Sequence, residues 1–308
     1  MTVDGTRHVS AVTPRPAAFD FGNVALRFVP AKMRRVPISF DPATPILGRI
    51  GELEVRLARS SAEVKAAQQL RYRVFYEEMS AQPSKFQKMT RRDSDGFDRY
   101  CDHLLVIDHK RGGSTTNRIV GTYRLMRAEM AELAGGFYTA QEFDIAPMIA
   151  RHSGKRFLEL GRSCVLKDYR GKRTVELLWQ GIWSYVLAHD IDVLFGCASL
   201  AGTDTEALAL PLAFLKQNAP APAEWAVRAH AHRGTFFPDM GEIADMRSAL
   251  AQMPPLLKGY LRLGGYIGEG AVVDHQFGTT DVLVVLPRER INPRYIGHYG
   301  ADAGRFAA

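Results

Sequence analysis

Cysteine is scarce in this chain. Three in 308 residues, Cys101, Cys164 and Cys197, stand far apart and odd in number. That excludes a disulfide framework and fits a reducing cytoplasm, with each thiol read as a small buried hydrophobe. No C-x-x-C pair or other zinc spacing occurs, so no metal is expected. Long apolar runs are lacking too. The stretch "ALALPLAFL" at 207–215 is about half of what a membrane span requires, and Pro211 interrupts it. The first residues lack the basic-then-apolar order of a signal peptide. The expected location is therefore cytoplasmic, with attachment to a membrane surface left open. No internal repeat is found.

What the sequence has in excess is positive charge. A formal net charge of +7 and a pI near 9.4 point to an acidic partner: nucleic acid, anionic lipid or an acidic protein. Residues 1–50 hold six prolines from Pro14 to Pro45 and carry seven Lys or Arg against three Asp. They read as an extended or partly disordered basic arm. Residues 51–300 read as one domain and 301–308 as a flexible tail.

Within that domain "GELEVRLA" (51–58) alternates as a half-buried strand does. Ser60 or Ser61 caps the helix that follows, "AEVKAAQQLRYRVFYEEM". "HLLVID" and "RIVGTYRLM" form a hairpin across the turn "KRGGSTTN". "RFLELGRSCV" is a strand, "TVELLWQGIWSYVLAHD" a helix, "VLFGCASL" a strand, and "VVDHQFGTTDVLVVLP" supplies a last strand stopped by Pro287. This order implies an α/β, or α+β, domain with a mixed sheet flanked by helices.

Three constellations stand out. His103 and Asp108 have the H-x4-D spacing of an acyltransferase dyad, but positions five apart on a strand point to opposite faces. A dyad is therefore not expected. Glu159 and Arg162 are three apart in "LELGRSCV" and so also nominally on opposite faces. Gly161 between them would permit a bulge, which brings them together and frees backbone amides; the alternative is a structural ion pair. Seven basic and two acidic residues fall between 155 and 173. Beside the start of the 174 helix these make an anion cradle or a solvated loop, and their density favours the cradle.

The ordered set "LRYRVFYEEM", "VGTYRLM", "LELGRSCV" and "DYRGKRT" resembles the GCN5-related N-acetyltransferase fold, with its central splayed sheet. More narrowly, with "PPLLKGYLRLGGYIG" and "DHQFGTTDVLVVL" it is similar to the L-ornithine N-alpha-acyltransferases of ornithine-lipid synthesis and their hemolysin-like relatives. Acyl-homoserine-lactone synthases share part of it: Arg73, Phe75, Asp95, Asp98, Arg124, Glu159 and Arg162. The resemblance departs at the turn before the helix. There Arg173 and Val175 stand where the R-x-x-G-x-G glycines would let amides approach a pyrophosphate closely. A donor with a single phosphodiester on a 4'-phosphopantetheine arm, as on acidic acyl carrier protein, demands less.

The resemblance implies transfer of a 3-hydroxyacyl chain from acyl carrier protein to the alpha-amine of L-ornithine, with no bound cofactor. Glu159 would be the base, and backbone N–H groups from Gly161 to Ser163 would hold the oxyanion. Arg124 or Arg162 would take the ornithine carboxylate, and Asp95 or Asp98 its side-chain ammonium. Lys167, Arg170, Gly171, Lys172, Arg173 and Thr174 would meet the phosphopantetheine arm or its carrier. "ALALPLAFL", Trp179 and Trp183 are candidates for an acyl tunnel, although helix-spaced aromatics are more often core. A separate O-acyltransferase would finish the lipid at the inner membrane, and no nucleic acid is involved. The rivals are acylation of another amino acid, acyl-homoserine-lactone synthesis from S-adenosylmethionine, and a basic membrane-surface module without chemistry.

Overall fold

The computed structural model describes residues 40–241, 243 and 245–291. The expected arm over 1–39 and the tail over 301–308 lie outside the described residues. In chain order the elements are β1 (Ile46–Ile50), β2 (Leu53–Leu57), α1 (Ser61–Tyr72), α2 (Lys85–Thr90), β3 (Asp102–Asp108), α3 (Thr115–Arg118), β4 (Ile119–Arg127), α4 (Ala128–Ala134) and α5 (Ala146–Arg151). They continue as β5 (Phe157–Val165), α6 (Lys172–Ala188), β6 (Val193–Ala201), α7 (Ala209–Asn218), β7 (Gly234–Thr235), α8 (Met246–Gln252), α9 (Pro255–Leu263), β8 (Tyr266–Asp274) and β9 (Thr279–Pro287).

Among the described residues, nine strands make one sheet in the order β1-β2-β3-β4-β5-β6-β9-β8-β7. Every pair is antiparallel except β5 with β6. Two expectations change. Strand pairing begins at Ile46, inside the stretch read as an arm, because the two residues Gly51 and Glu52 turn β1 straight back onto β2. The last segment is a hairpin rather than one strand, because Asp274 caps a tight turn by accepting from the amides of Gln276 and Phe277.

Helix α1 starts at Ser60, whose hydroxyl accepts from the Glu63 amide, and it ends in a π-helical turn over Arg73–Glu78. One face of the sheet buries Leu104, Leu125, Leu158 and Leu160 against Leu177, Ile182 and Trp183 of α6 and Leu257 of α9. The other face meets α1 through Leu105, Ile107, Ala67 and Leu70. Further along that face Phe157, Phe195 and Leu283 meet Phe137, Phe143 and Trp225. The run "ALALPLAFL" supplies most of α7, and Leu212, Ala213 and Leu215 are sealed in the core. Trp179 and Trp183 are buried there as well. Leu212, Ala213, Leu215 and Trp183 thus form packing, while Trp179 and Phe214 also line surface cavities.

Candidate active site

Strand β5 carries the expected bulge. Leu125 of β4 faces Leu160 and Tyr123 faces Ser163, so Gly161 and Arg162 together oppose Arg124. One extra residue reverses the alternation of side chains beyond it. Glu159 and Arg162 therefore share the face of Arg124, and Ser163 turns with Tyr123 toward α6. A Cβ on Gly161 would stand 3.2 Å from Arg124 Nε.

The neighbouring strand leaves at the same level. β5 and β6 pair only at Phe157–Val193, Leu158–Leu194 and Glu159–Phe195. At the fork, a Cβ on Gly196 would fall 2.3 Å from the Leu160 carbonyl oxygen, so glycine is what lets the strands touch before they part. A cavity of about 160 Å³ opens in this fork, with Gly161 and Arg162 on one side, Cys197 and Ser199 on the other, and Phe75, Tyr138 and Phe277 around it.

Behind Arg162 lies a buried ionic network. Arg71 binds Asp93 at 2.8 Å and Asp98 at 2.7 Å, and Arg124 holds both oxygens of Asp95 at 2.8 Å. Arg162 reaches Asp95 at 2.6 Å and Asp93 at 3.4 Å. Gln68 and Tyr76 donate to Asp98 and Asp93. Three guanidinium and three carboxylate groups thus balance. Burial works to raise the Asp98 pKa, but Arg71 and then Arg124 overcome it and hold the carboxyl well below its ordinary range. Asp95, Asp98, Arg124 and Arg162 are therefore brought together, and the two aspartates bind arginines instead of standing free for an ammonium. Arg73 is exposed and takes no part. Arg71 and Asp93 were missed, since their pairing across 22 residues leaves no local pattern. His103 donates from Nε2 to the Asp98 backbone carbonyl at 3.0 Å, while Asp108 accepts from the Tyr169 hydroxyl at 2.6 Å, so no dyad forms.

Glu159 is buried, and burial pushes its carboxyl up. Its two oxygens accept from the amides of Tyr138 at 3.1 Å and Thr139 at 2.6 Å. Tyr138 and Thr139 line the cavity and Glu159 does not. The expected base is thus the anchor of a wall-forming turn.

A second set of carboxylates was not foreseen. Oxygens of Glu142, Asp274 and Asp281 lie within 4.8 Å of one another, a spacing that could hold a cation. Asp274 and Asp281 line the cavity. Glu142 accepts from the Cys197 thiol at 3.3 Å. Burial, then the Asp281 charge, pushes Glu142 up to about 7, and burial, then hydrogen bonds and the Asp274 charge acting in opposite senses, leaves Asp281 at about 6. Among the described residues, Arg233, 4.0 Å from Glu142, is the one cation within that distance of the trio. The available signal was the one that flagged Glu159: a lone carboxylate in an apolar strand, here "DVLVVLP".

The basic turn borders a groove of about 500 Å³ lined by Arg170, Gly171 and Lys172, with Lys258 and Arg262 of α9 opposite. Arg170 also pairs with Glu78. Lys167, Arg173 and Thr174 are not in its wall; Lys167 and Arg173 are exposed and Thr174 is buried in the first turn of α6. The amides at the start of this 17-residue helix have no side-chain cap, which leaves them available to an anion.

Comparison with known proteins bears on this arrangement. Residues 70–180 match the acetyltransferase (GNAT) domain family. An L-ornithine N(alpha)-acyltransferase of Rhizobium meliloti (strain 1021) is 55% identical over 271 residues, 87% of this chain and 90% of that protein. One from Rhodobacter capsulatus is 43% identical over 246 residues, 80% of this chain and 94% of that protein. A CoA-dependent acyl-homoserine lactone synthase structure aligns at a TM-score of 0.41 and 14% identity, over 78% of this chain and 83% of that one. At 43–55% identity over most of each chain, the protein belongs to the L-ornithine N(alpha)-acyltransferase family and is an acyltransferase with the GNAT fold.

Proposed function

We propose that the protein transfers a 3-hydroxyacyl chain from acyl carrier protein to the alpha-amine of L-ornithine, giving lyso-ornithine lipid as the first step of ornithine-lipid synthesis. The observation that carries this reading is the forked cavity beside an arginine, in a chain whose relatives are named for ornithine N-acylation. The neutral amine attacks the thioester carbonyl. A C–N bond forms, the C–S bond breaks, and the thiolate takes up the proton that the amine loses. The alpha-amine of a free amino acid titrates somewhat above the chain-terminal value of roughly 8, because its own carboxylate favours the ammonium form, so a small fraction is neutral at pH 7 and a modest base suffices. Holding amine and thioester in contact supplies much of the acceleration.

Arg162, with Arg124 behind it, is the cation for the acceptor carboxylate. Amides around Gly161 to Ser163 take the oxyanion. Glu159 positions the Tyr138–Thr139 wall. Arg170, Gly171 and Lys172, with Lys167, Arg173 and Thr174 nearby, receive the phosphate of the phosphopantetheine arm and its acidic carrier. Release of an amphiphile fits work at the inner face of an anionic membrane, before a separate O-acyltransferase.

The test offers 3-hydroxyacyl-ACP and, separately, 3-hydroxyacyl-CoA, with ornithine, lysine, glutamine, glycine or S-adenosylmethionine. N-acyl products are read by mass spectrometry. Ornithine product from the carrier protein and little from CoA is expected. Product from another acceptor replaces the substrate, and an equal rate from CoA removes the carrier from the reading.

A further inference from the structure

The cavity in the fork has two electrically unlike walls. Arg162 lines it from β5, and Asp281 lines it from β9, the strand that pairs with β6; Asp274 joins from the end of β8. Arg162 is already matched by Asp93 and Asp95. Asp281 is 7% exposed and accepts from the Thr279 hydroxyl at 2.9 Å, but no cation pairs with it among the described residues. Elsewhere in the site every buried aspartate has an arginine. A buried carboxylate without a counter-ion is costly, and it takes up a proton or waits for a cation from outside.

We infer that Asp281, supported by Asp274 and Glu142, binds the side-chain ammonium of the acceptor amino acid, at the wall of the cavity away from the reacting amine. The assignment rests on the reading that the acceptor is ornithine, and it adds what that reading lacks: a group that tells ornithine from an amino acid of equal length without the terminal charge. An acceptor with carboxylate, reacting amine and distal ammonium matches a cavity with a guanidinium on one wall and, on another, carboxylates that no cation pairs with among the described residues. A bound ammonium would neutralise part of the crowded charge that raises Glu142 and Asp281. A monovalent group suits the trio better than a bare divalent ion. Oxygens of Asp274 and Asp281 are already engaged by the Gln276 and Phe277 amides and the Thr279 hydroxyl.

The experiment compares ornithine with norvaline, its analogue lacking the terminal amine, in the full-length protein and in Asp281→Asn. The wild type should prefer ornithine in kcat/KM. In Asp281→Asn the KM for ornithine should rise roughly 10- to 100-fold, the weight of one charged hydrogen bond, with turnover of norvaline retained as proof of folding. Asp274→Asn should give a smaller shift in the same direction. An unchanged ornithine-to-norvaline ratio in Asp281→Asn overturns the assignment alone, as does an equal loss with both acceptors. Activity abolished by EDTA and restored by Mg²⁺ would give the trio to a metal and also overturn it. Wild-type protein that acylates neither amino acid overturns the ornithine reading itself.

Discussion

Individual residues in this site divide by what surrounds their charge. The Asp98 carboxylate is ionised because arginines enclose it, and Glu142 is half-protonated near neutrality because none does so closely. The second case has a measurable consequence. Glu142 has a folded pKa of about 7, above the ordinary carboxyl value, so its folded form binds the extra proton. That contribution to stability is complete below the unfolded pKa and is lost as pH rises through about 7. Glu142→Gln fixes the neutral form. Its stability relative to wild type should therefore rise between pH 5 and pH 8, by on the order of 3 kcal/mol, as read from urea unfolding at the two values. A constant difference would assign Glu142 an ordinary carboxyl. At this scale Arg162 was legible as a charge in an apolar strand, whereas Asp95 and Asp98 came only from the resemblance, since "RRDSDGFDRYCD" offers four aspartates and no pattern that selects among them. The resemblance gave Arg73, but Arg71 is the one inside, since only the packing of α1 on the sheet decides which of two arginines two positions apart is buried.

Among the elements, β5 does most to shape the site. Its bulge was readable from "ELGRS", because a carboxylate and a guanidinium three apart can share a face only if one residue is extra, and glycine stood between them. The fork with β6 was expected only through the fold resemblance, with its central splayed sheet; the part of Gly196 was not readable, because it looks like any strand glycine until its neighbour is known. Gly196→Ala would drive a methyl into the Leu160 carbonyl, a backbone atom that cannot swing away. The expected result is a loss of about 1–3 kcal/mol in unfolding free energy and a fall in kcat, with the fork pushed open or shut. An Ala variant of wild-type stability and activity would show that the fork is not fixed there. The hairpin of β8 and β9 escaped the sequence reading for a related reason. Its turn, from Asp274 to Gly278, is made by Asp274 side-chain bonds and a glycine at positive φ, a short signal hidden between two apolar stretches.

Across the whole molecule, the excess of +7 is not spread evenly where the groove is concerned: Arg170 and Lys172 face Lys258 and Arg262 across it. Sequence placed the first two and missed the second two, which lie more than 80 residues away on α9. If this groove receives the acidic carrier, Lys258→Glu with Arg262→Glu should raise KM for the carrier-bound donor and flatten its dependence on salt. The KM for ornithine should not change. Steady-state kinetics at low and moderate ionic strength reads both. An unaltered salt slope would move the carrier elsewhere. The fork has a consequence of another kind. From Leu160 to Val165 the β6 side of β5 presents backbone groups that no strand satisfies, and such an edge is a template for pairing with another chain. Idle enzyme should therefore be the form that clumps on storage, and a pantetheine-bearing ligand lying along that edge should keep it in solution.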